Sequence, residues 1–171
     1  LQRITGELMR KILIMLAITF TVSTALAATG SMPKDFKLTG LTNKKTMQSL
    51  GNKTTVLQFW ASWCVGCGTN MKILSDMKKK MKKTNFEYVP VSVDETNEEA
   101  LSFFEDKSAD VKKLKNVSYL DQGTKLATKL EIGSLPALVV VDSSGRVIKR
   151  IQGHLSAKQV GELKQALNKG K

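Results

Sequence analysis

Cysteine and histidine are scarce in this chain, and their scarcity excludes several kinds of scaffold and site. Two cysteines, Cys64 and Cys67, cannot build a framework of several disulfide bridges. Together with the single histidine, His154, they offer at most three zinc ligands, whereas structural zinc sites take four. His154 follows the last predicted strand, so we interpret it as a surface residue. We therefore expect no metal site.

Aromatic residues are also few, at 6% of the chain, although its charge is strongly basic. Lys and Arg number 27 against 15 Asp and Glu, a formal net charge of +12. A basic surface can bind nucleic acid, but neither zinc-finger spacing nor an aromatic RNA-binding signature accompanies this charge. Part of the excess lies in residues 78–83, a predicted helix end, where lysines complement the helix dipole. We interpret the charge as a solvated surface and expect no nucleic-acid partner.

The amino-terminal segment has the pattern of a targeting signal. Met9 begins a short basic stretch, residues 12–22 are apolar apart from threonines, and an Ala-x-Ala sequence closes the segment. These are the parts of a secretory signal peptide, predicted over residues 1–27. We expect cleavage at its end, and a true start at Met9 with residues 1–8 upstream of it. No internal repeat or linker divides the remainder, so residues 28–171 are predicted to form one domain.

The alternative to a cleaved signal is an uncleaved membrane anchor. The apolar run is shorter than the about 20 residues that a spanning helix needs. No cysteine follows the expected cleavage site, so a bacterial lipid anchor is not supported. We expect an exported, periplasmic protein, in a compartment where disulfides persist. The two cysteines then form one local, reversible pair or bind something.

Strands and helices alternate along the chain, which predicts an α/β fold. Strands are predicted at residues 54–60, 86–93, 117–120, 137–141 and 146–152, after an extended lead-in over residues 28–51. Helices are predicted from Cys64, from Asn97 as a candidate cap through Asp106, over Thr124–Leu130, and after a cap at Ser156. A turn at residues 142–145 joins the last two strands as a hairpin, which makes the sheet mixed. Pro90 is unusual in a strand, because proline cannot donate to the ladder.

The strongest functional signal is the Cys-x-x-Cys sequence, which follows a buried strand at the predicted start of a helix. A thiol reacts as thiolate, and the unpaired N–H groups and positive dipole end of a helix start favour that anion. Such sites lower a cysteine pKa from about 8.5 to roughly 3.5–7.5. We therefore predict that Cys64 is the exposed attacking thiol and that the more buried Cys67 resolves the mixed disulfide. A purely structural disulfide would leave Trp63 and the helix-start position unexplained.

Residues 56–67 resemble the active-site segment of thioredoxins, with a closer similarity to the exported TlpA/ResA/DsbE-like branch. Weaker parts of the resemblance are residues 35–39, 91–95, 133–137 and 142–146, with Gly153. The resemblance implies a thioredoxin fold in which Pro136 is cis and faces the cysteines. The backbone of Leu135 would then pair with an extended substrate chain. The residues that the resemblance assigns to support of the active site are Trp63, Val65, Gly66, Leu135 and Pro136.

The chain departs from that family at positions that handle protons. Gln58 stands where thioredoxins have a buried aspartate, and Asn70 stands where ResA-type proteins often have a glutamate. Pro90 corresponds to a buried lysine of thioredoxin, and Gly66 replaces a proline that is common beside the second cysteine. Because neither Gln58 nor Asn70 can take up a proton, we predict that water or a substrate group deprotonates Cys67.

The resemblance implies a thiol–disulfide oxidoreductase whose only redox group is the Cys64–Cys67 disulfide, with no other cofactor. It favours reduction of exported proteins, such as apocytochromes in cytochrome c maturation or oxidised metallochaperones, by a monomer that draws electrons from a membrane donor protein. The Val65-Gly66 pair equally suits a mild oxidant or an isomerase.

Two other hypotheses stay open. One is a copper(I) metallochaperone that uses both cysteines and His154, since soft thiolates bind copper(I). The other is a non-catalytic thioredoxin-fold binding module.

Overall fold

The computed structural model describes residues 30–81 and 84–169. The predicted signal peptide, residues 1–27, and the proposed start at Met9 lie outside these ranges. Residues 82–83, at the end of the basic run, also lie outside them. Within the described ranges, no helix combines the length and the apolarity that a membrane span requires.

Seven strands make up one mixed sheet. In chain order they are β1 (Leu38–Gly40), β2 (Thr46–Met47), β3 (Thr54–Trp60), β4 (Phe86–Ser92), β5 (Tyr119–Leu120), β6 (Ala137–Val141) and β7 (Val147–Gln152). Their order across the sheet is β2-β1-β5-β4-β3-β6-β7. The central strand β3 runs parallel to β4 and antiparallel to β6, and β6 and β7 form the closing hairpin. The predicted α/β class and the mixed sheet are confirmed.

Helices lie between these strands and after the last one. In the described residues the α-helices are α1 (Cys67–Lys80), α2 (Asn97–Ser102), α3 (Ala109–Lys112), α4 (Lys125–Lys129) and α5 (Ala157–Lys169), with 3₁₀ helices at Lys113–Val117 and Gln122–Thr124. Ser156 caps α5 as predicted, since its hydroxyl accepts from the backbone N–H of Gln159 at 3.3 Å. α3 was not predicted, because four residues are too few to display a helical hydrophobic repeat.

One predicted helix start and one predicted helix cap were wrong, and the helix predicted through Asp106 ends at Ser102. The first helix begins at Cys67 and not at Cys64, because Gly66 at its N-cap has a φ of 92°. That left-handed conformation interrupts the helical path and is easily reached by glycine alone. The second helix is capped by Thr96, whose side chain forms a capping box with Glu99. The amide of Asn97, the predicted cap, instead donates to the backbone oxygen of Leu41.

Strand β3 places the cysteine motif at the end of the core. All seven of its residues are buried, and its four apolar residues divide between two hydrophobic clusters, one on each face of the sheet. Val56 and Trp60 pack in the cluster that holds both cysteines and residues of α1 and α5. Leu57 and Phe59 pack in the opposite cluster, with residues of α4. The chain therefore leaves a rigid strand immediately before the turn that carries Cys64.

Pro90 is accommodated because one side of β4 is only partly paired. Along β3 the ladder is continuous and sets Pro90 opposite Gln58. On the other side, β5 pairs only with Val91 and Ser92. Among the described strands, none therefore pairs with β4 at Pro90 on the β5 side. This agrees with the preference of proline for the edges of a sheet.

Candidate active site

Cys64 and Cys67 are joined by a disulfide bond across the turn between β3 and α1. Their Cα atoms are 5.6 Å apart, within the ordinary range for a bridge. Cys67 is the first residue of α1, so the bond also holds the sulfur of Cys64 at the N-terminal end of that helix. The predicted pairing is confirmed, although Cys64 lies three residues before the helix and not within its first turn.

The turn that carries the motif is fixed by its own backbone. The N–H of Cys64 donates to the oxygen of Ala61 at 3.1 Å. The oxygen of Gly66 then accepts from the N–H groups of Thr69 and Asn70, at 3.1 and 3.2 Å. Gly66 therefore both reverses the chain and starts the hydrogen-bond ladder of α1.

Asp94 anchors the start of the same turn from the neighbouring strand. Its carboxylate accepts from the backbone N–H of Ser62 at 2.9 and 3.0 Å, and from the Ser62 hydroxyl at 2.8 Å. The hydroxyl of Ser92 donates to it at 2.7 Å. Asp94 is buried, so these donors replace water as partners of the carboxylate. This anchoring role was not predicted from the sequence, where the only signal is the position of Asp94 directly after a buried strand.

The two cysteines differ in access to solvent. Cys67 is fully buried, whereas Cys64 keeps 8% of its surface exposed. The residues on either side of Cys64 are far more exposed, Trp63 at 70% and Val65 at 89%. The prediction that Cys64 is openly exposed was wrong in degree, because the turn and the disulfide cover most of it. Cys64 is nevertheless the more accessible of the two cysteines, and large apolar side chains flank it.

A buried hydrogen-bonded pair lies on the inner side of the motif. The amide nitrogen of Gln58 donates to the backbone oxygen of Cys67 at 3.1 Å. The hydroxyl of Tyr88, on β4, donates to the amide oxygen of Gln58 at 2.6 Å. Burial raises the pKa of Tyr88 well above its usual range, so the phenol stays neutral. At this position the chain thus fixes the Cys67 carbonyl and offers no carboxylate.

Asn70 also has a positional role. It is fully buried on α1, and its amide nitrogen donates to the oxygen of Gly153 at 3.0 Å. Its amide oxygen accepts from the N–H of Leu155 at 3.0 Å. The side chain therefore connects α1 to the loop that follows β7. His154, between these two partners, is exposed as predicted, and its imidazole lies against Gly66.

The Leu135–Pro136 peptide bond is cis, as the resemblance implied. Pro136 is buried, and its oxygen accepts from the N–H of Gly153 at 2.7 Å. Leu135 is partly buried and packs against the cluster that contains both cysteines. This loop therefore lies beside the motif, and strand addition at Leu135 stays a prediction.

A groove of about 490 Å³ runs beside Cys64. Its apolar walls include Trp63 and Val65 from the turn and Phe103 after α2. Two lysines line it as well. Lys72 pairs with Asp76 at 3.3 Å, and Lys107 pairs with Asp106 while its ammonium lies 4.8 Å above the Phe103 ring. The groove is thus a largely apolar surface that includes two lysines, each paired with a carboxylate, and that reaches Cys64.

The chain is similar in sequence to known proteins. Residues 51–147 match the family model described as thioredoxin-like. The thiol–disulfide oxidoreductase ResA of a Bacillus cereus strain is 30% identical over 132 residues, which cover 77% of this chain and 73% of ResA.

Solved structures agree on the fold. A thiol–disulfide oxidoreductase of Bacteroides fragilis superposes with a TM-score of 0.64 at 26% identity, over 80% of this chain and 98% of that one. A DsbE-type structure from Chlorobium tepidum superposes with a TM-score of 0.69 at 22% identity, over 83% and 96% of the two chains. The second likeness is one of fold alone.

Proposed function

Since the chain belongs to the thioredoxin-like family and is a thiol–disulfide oxidoreductase, we propose that Cys64 and Cys67 are its redox pair, with distinct roles. Cys64 attacks the disulfide of a protein substrate, and Cys67 resolves the mixed disulfide that forms between Cys64 and the substrate. The observation that carries this division is the difference in access: Cys67 is fully buried, whereas Cys64 keeps 8% of its surface exposed between two exposed apolar residues.

The reaction is two successive thiol–disulfide exchanges. The Cys64 thiolate attacks one sulfur of the substrate disulfide, forms a mixed disulfide, and releases the other substrate sulfur as thiolate. Cys67, once deprotonated, attacks the Cys64 sulfur, which frees the second substrate sulfur and forms the Cys64–Cys67 bond. The substrate has gained two electrons and the pair has lost two. An external dithiol must then reduce the pair again.

In the proposed reaction, the proton of the Cys67 thiol is transferred to water or to a group of the substrate. Gln58 and Asn70 cannot accept it, and each is occupied by two hydrogen bonds. The Asp94 carboxylate already accepts from Ser62 and Ser92. A pH–rate profile of Asp94→Asn and of Glu95→Gln tests this point. We expect both variants to keep the profile of the parent; loss of a carboxylate-dependent step in either would overturn it.

We further propose that the protein reduces disulfides of exported proteins. Export is supported by the signal pattern of residues 1–27. In that compartment the substrates are disulfide-containing proteins, for which apocytochromes in cytochrome c maturation are the leading class, and the electron donor is a membrane protein. The substrate chain lies in the groove beside Cys64 and adds to the backbone at Leu135. The protein acts as a monomer without nucleic acid.

Trapping tests the two roles. Reduced Cys67→Ser protein is mixed with a peptide that contains one disulfide, and the products are separated without reductant. We expect a covalent complex held through Cys64, because no second thiol is present to resolve it. Cys64→Ser, the matched control, should form little or none. Equal trapping by Cys64→Ser would reverse the roles.

The same variant then tests the substrate class. Cys67→Ser is expressed with its amino-terminal segment, and trapped partners are identified by mass spectrometry. The proposal predicts exported proteins with paired cysteines. Partners confined to the cytoplasm would contradict it.

A further inference from the structure

The imidazole of His154 occupies the space next to Gly66 that a side chain would need. A Cβ added to Gly66 would lie 1.8 Å from Cε1 of His154, and 2.6 and 2.7 Å from Nε2 and Nδ1. The nitrogen-bearing edge of the ring therefore faces the backbone between the two cysteines. His154 was interpreted as a surface residue, and this contact was not predicted because His154 lies 88 positions after Gly66 in the sequence.

The loop that carries His154 is held on both sides. The buried Asn70 binds the oxygen of Gly153 and the N–H of Leu155, the residues before and after His154. The N–H of Gly153 also donates to the oxygen of Pro136. The backbone of His154 is thus tied to the helix that Cys67 begins and to the cis-proline loop. Such anchoring on two sides distinguishes it from an ordinary exposed side chain.

The ring nitrogens of His154 are available for a new interaction. Among residues 30–81 and 84–169, no side-chain hydrogen bond of His154 is formed in the disulfide state. Reduction creates an anion on Cys64, two residues before Gly66 in the sequence. When an external dithiol reduces the pair, the Cys64–Cys67 bond breaks, the donor becomes a disulfide, and one of its two protons is released. The other proton stays on Cys67, and Cys64 is left as thiolate.

We propose that His154 is a positioning residue of the redox pair, whose imidazole stabilises the Cys64 thiolate relative to the disulfide. A hydrogen-bond donor or a positive charge near a thiolate favours the reduced form. His154 therefore makes the disulfide easier to reduce than it would be with an apolar side chain at this position. This inference rests on the proposed roles of Cys64 and Cys67.

Other charged groups contribute to the same field and have to be separated from it. Lys72 on α1 and Lys107 after α2 line the groove beside Cys64, and each is paired with a carboxylate. Asp94 lies behind the turn and is held by Ser62 and Ser92. None of these groups is altered by a substitution at His154. A difference between His154 variants therefore reports the imidazole itself.

The test is the equilibrium between the protein disulfide and a dithiothreitol redox buffer at pH 7. The reduced fraction is measured by mass after thiol alkylation. His154→Ala removes ring and nitrogens, and His154→Phe keeps a ring against Gly66 without nitrogens. We expect both variants to shift the equilibrium about tenfold towards the disulfide, which corresponds to about 30 mV for a two-electron couple. Gln152→Ala, an exposed residue next to this loop, is the control and should not shift it.

Each possible result either supports or contradicts the proposed role of the His154 imidazole. A shift in His154→Ala with none in His154→Phe would assign the effect to packing and overturn the proposal, as would no shift in either. A variant that loses its fold is identified by its circular dichroism, and His154→Gln then serves in its place, with a smaller shift in the same direction. Failure of the parent to interconvert between disulfide and dithiol would instead refute the proposed redox pair.

Discussion

The outer and inner sides of the redox turn are built for different purposes. On the outer side, Trp63 and Val65 expose most of their apolar surface, and Cys64 lies between them. On the inner side, Gln58 and Tyr88 form a buried hydrogen-bonded pair that fixes the carbonyl of Cys67. Neighbouring residues of one chain thus meet solvent and core within a single turn.

Because the two sides differ, one motif can give its two cysteines separate roles. The direction of the chain decides it: the turn leaves a strand buried on both faces and enters a helix at Cys67. A cysteine before the helix lies near solvent, and a cysteine at its first residue lies in the core. Exchange with another protein then begins at Cys64, while Cys67 stays in place to complete it.

The outer side is broken most severely by replacing its thiol. Cys64→Ala should reduce dithiothreitol-driven reduction of a protein disulfide to the uncatalysed rate, because the accessible nucleophile is lost. The turnover assay uses Ser143→Ala as control, since Ser143 is exposed in the distant β6–β7 turn and should leave the rate unchanged. Residual turnover above background in Cys64→Ala would show that Cys67 can attack alone.

The inner side is tested next by Gln58→Leu. The change leaves the Tyr88 hydroxyl buried without its partner, at about 1–3 kcal/mol, and removes the side-chain donor of the Cys67 carbonyl, which still accepts in the ladder of α1. We expect the free energy of unfolding of the disulfide form, measured in urea, to fall by about 2–4 kcal/mol. Gln122→Leu is the matched control, because Gln122 is exposed and should change stability by less than about 0.5 kcal/mol. Equal stability of the two variants would remove the Gln58–Tyr88 pair from the account.

The junction between the two sides is tested by Gly66→Ala. Its φ of 92° strains any residue with a Cβ, at about 1–3 kcal/mol, and the methyl group also displaces the exposed ring of His154. We expect a loss of about 2 kcal/mol in urea unfolding. Gly51→Ala is the control, since a Cβ there meets nothing within 4 Å. A Gly66→Ala variant as stable as this control would mean that the turn relaxes easily.

The smallest effect concerns the titration of Tyr88. A phenol whose folded-state pKa is raised by burial binds its proton more tightly in the folded than in the unfolded chain. Its contribution to stability is therefore complete below the unfolded pKa of about 10 and is lost as pH rises beyond it. Tyr88→Phe should cost about 1 kcal/mol at pH 7 and weaken the loss of stability above pH 10.

The other tyrosine gives the control for that measurement. Urea unfolding between pH 8 and pH 11 is compared for the parent, Tyr88→Phe and Tyr119→Phe. Tyr119→Phe should keep the parent's decline at high pH. The same decline in all three proteins would contradict the assignment to Tyr88.

Features local in sequence were predictable, whereas those made by distant contacts were not. The continuous apolar run at Ala137–Val141 predicted a strand buried on both faces, and three-residue spacing predicted the bond between the cysteines. The helix start was missed because the left-handed conformation of Gly66 depends on the turn around it. The helix is capped by Thr96, one residue before the predicted cap, because Glu99 completes a capping box with Thr96.

The supporting residues of the site show the same limit. The substitutions at Gln58 and Asn70 indicated that a carboxylate was absent, but nothing local indicated what the amides bind. Their partners lie far along the chain, at Tyr88 and at the loop after β7. His154 was placed on the surface correctly, yet its contact with Gly66 follows only from the packing of that loop on α1.

The division of roles between Cys64 and Cys67 is tested most directly by competition between the two thiols for one alkylating reagent. The fully reduced protein is treated with less than one equivalent of iodoacetamide at pH 7, and the labelled peptides are quantified by mass spectrometry. We expect Cys64 to carry at least about ten times more label than Cys67, because it is the more accessible cysteine and precedes the N-terminal end of α1. Equal labelling, or preferential labelling of Cys67, would contradict it.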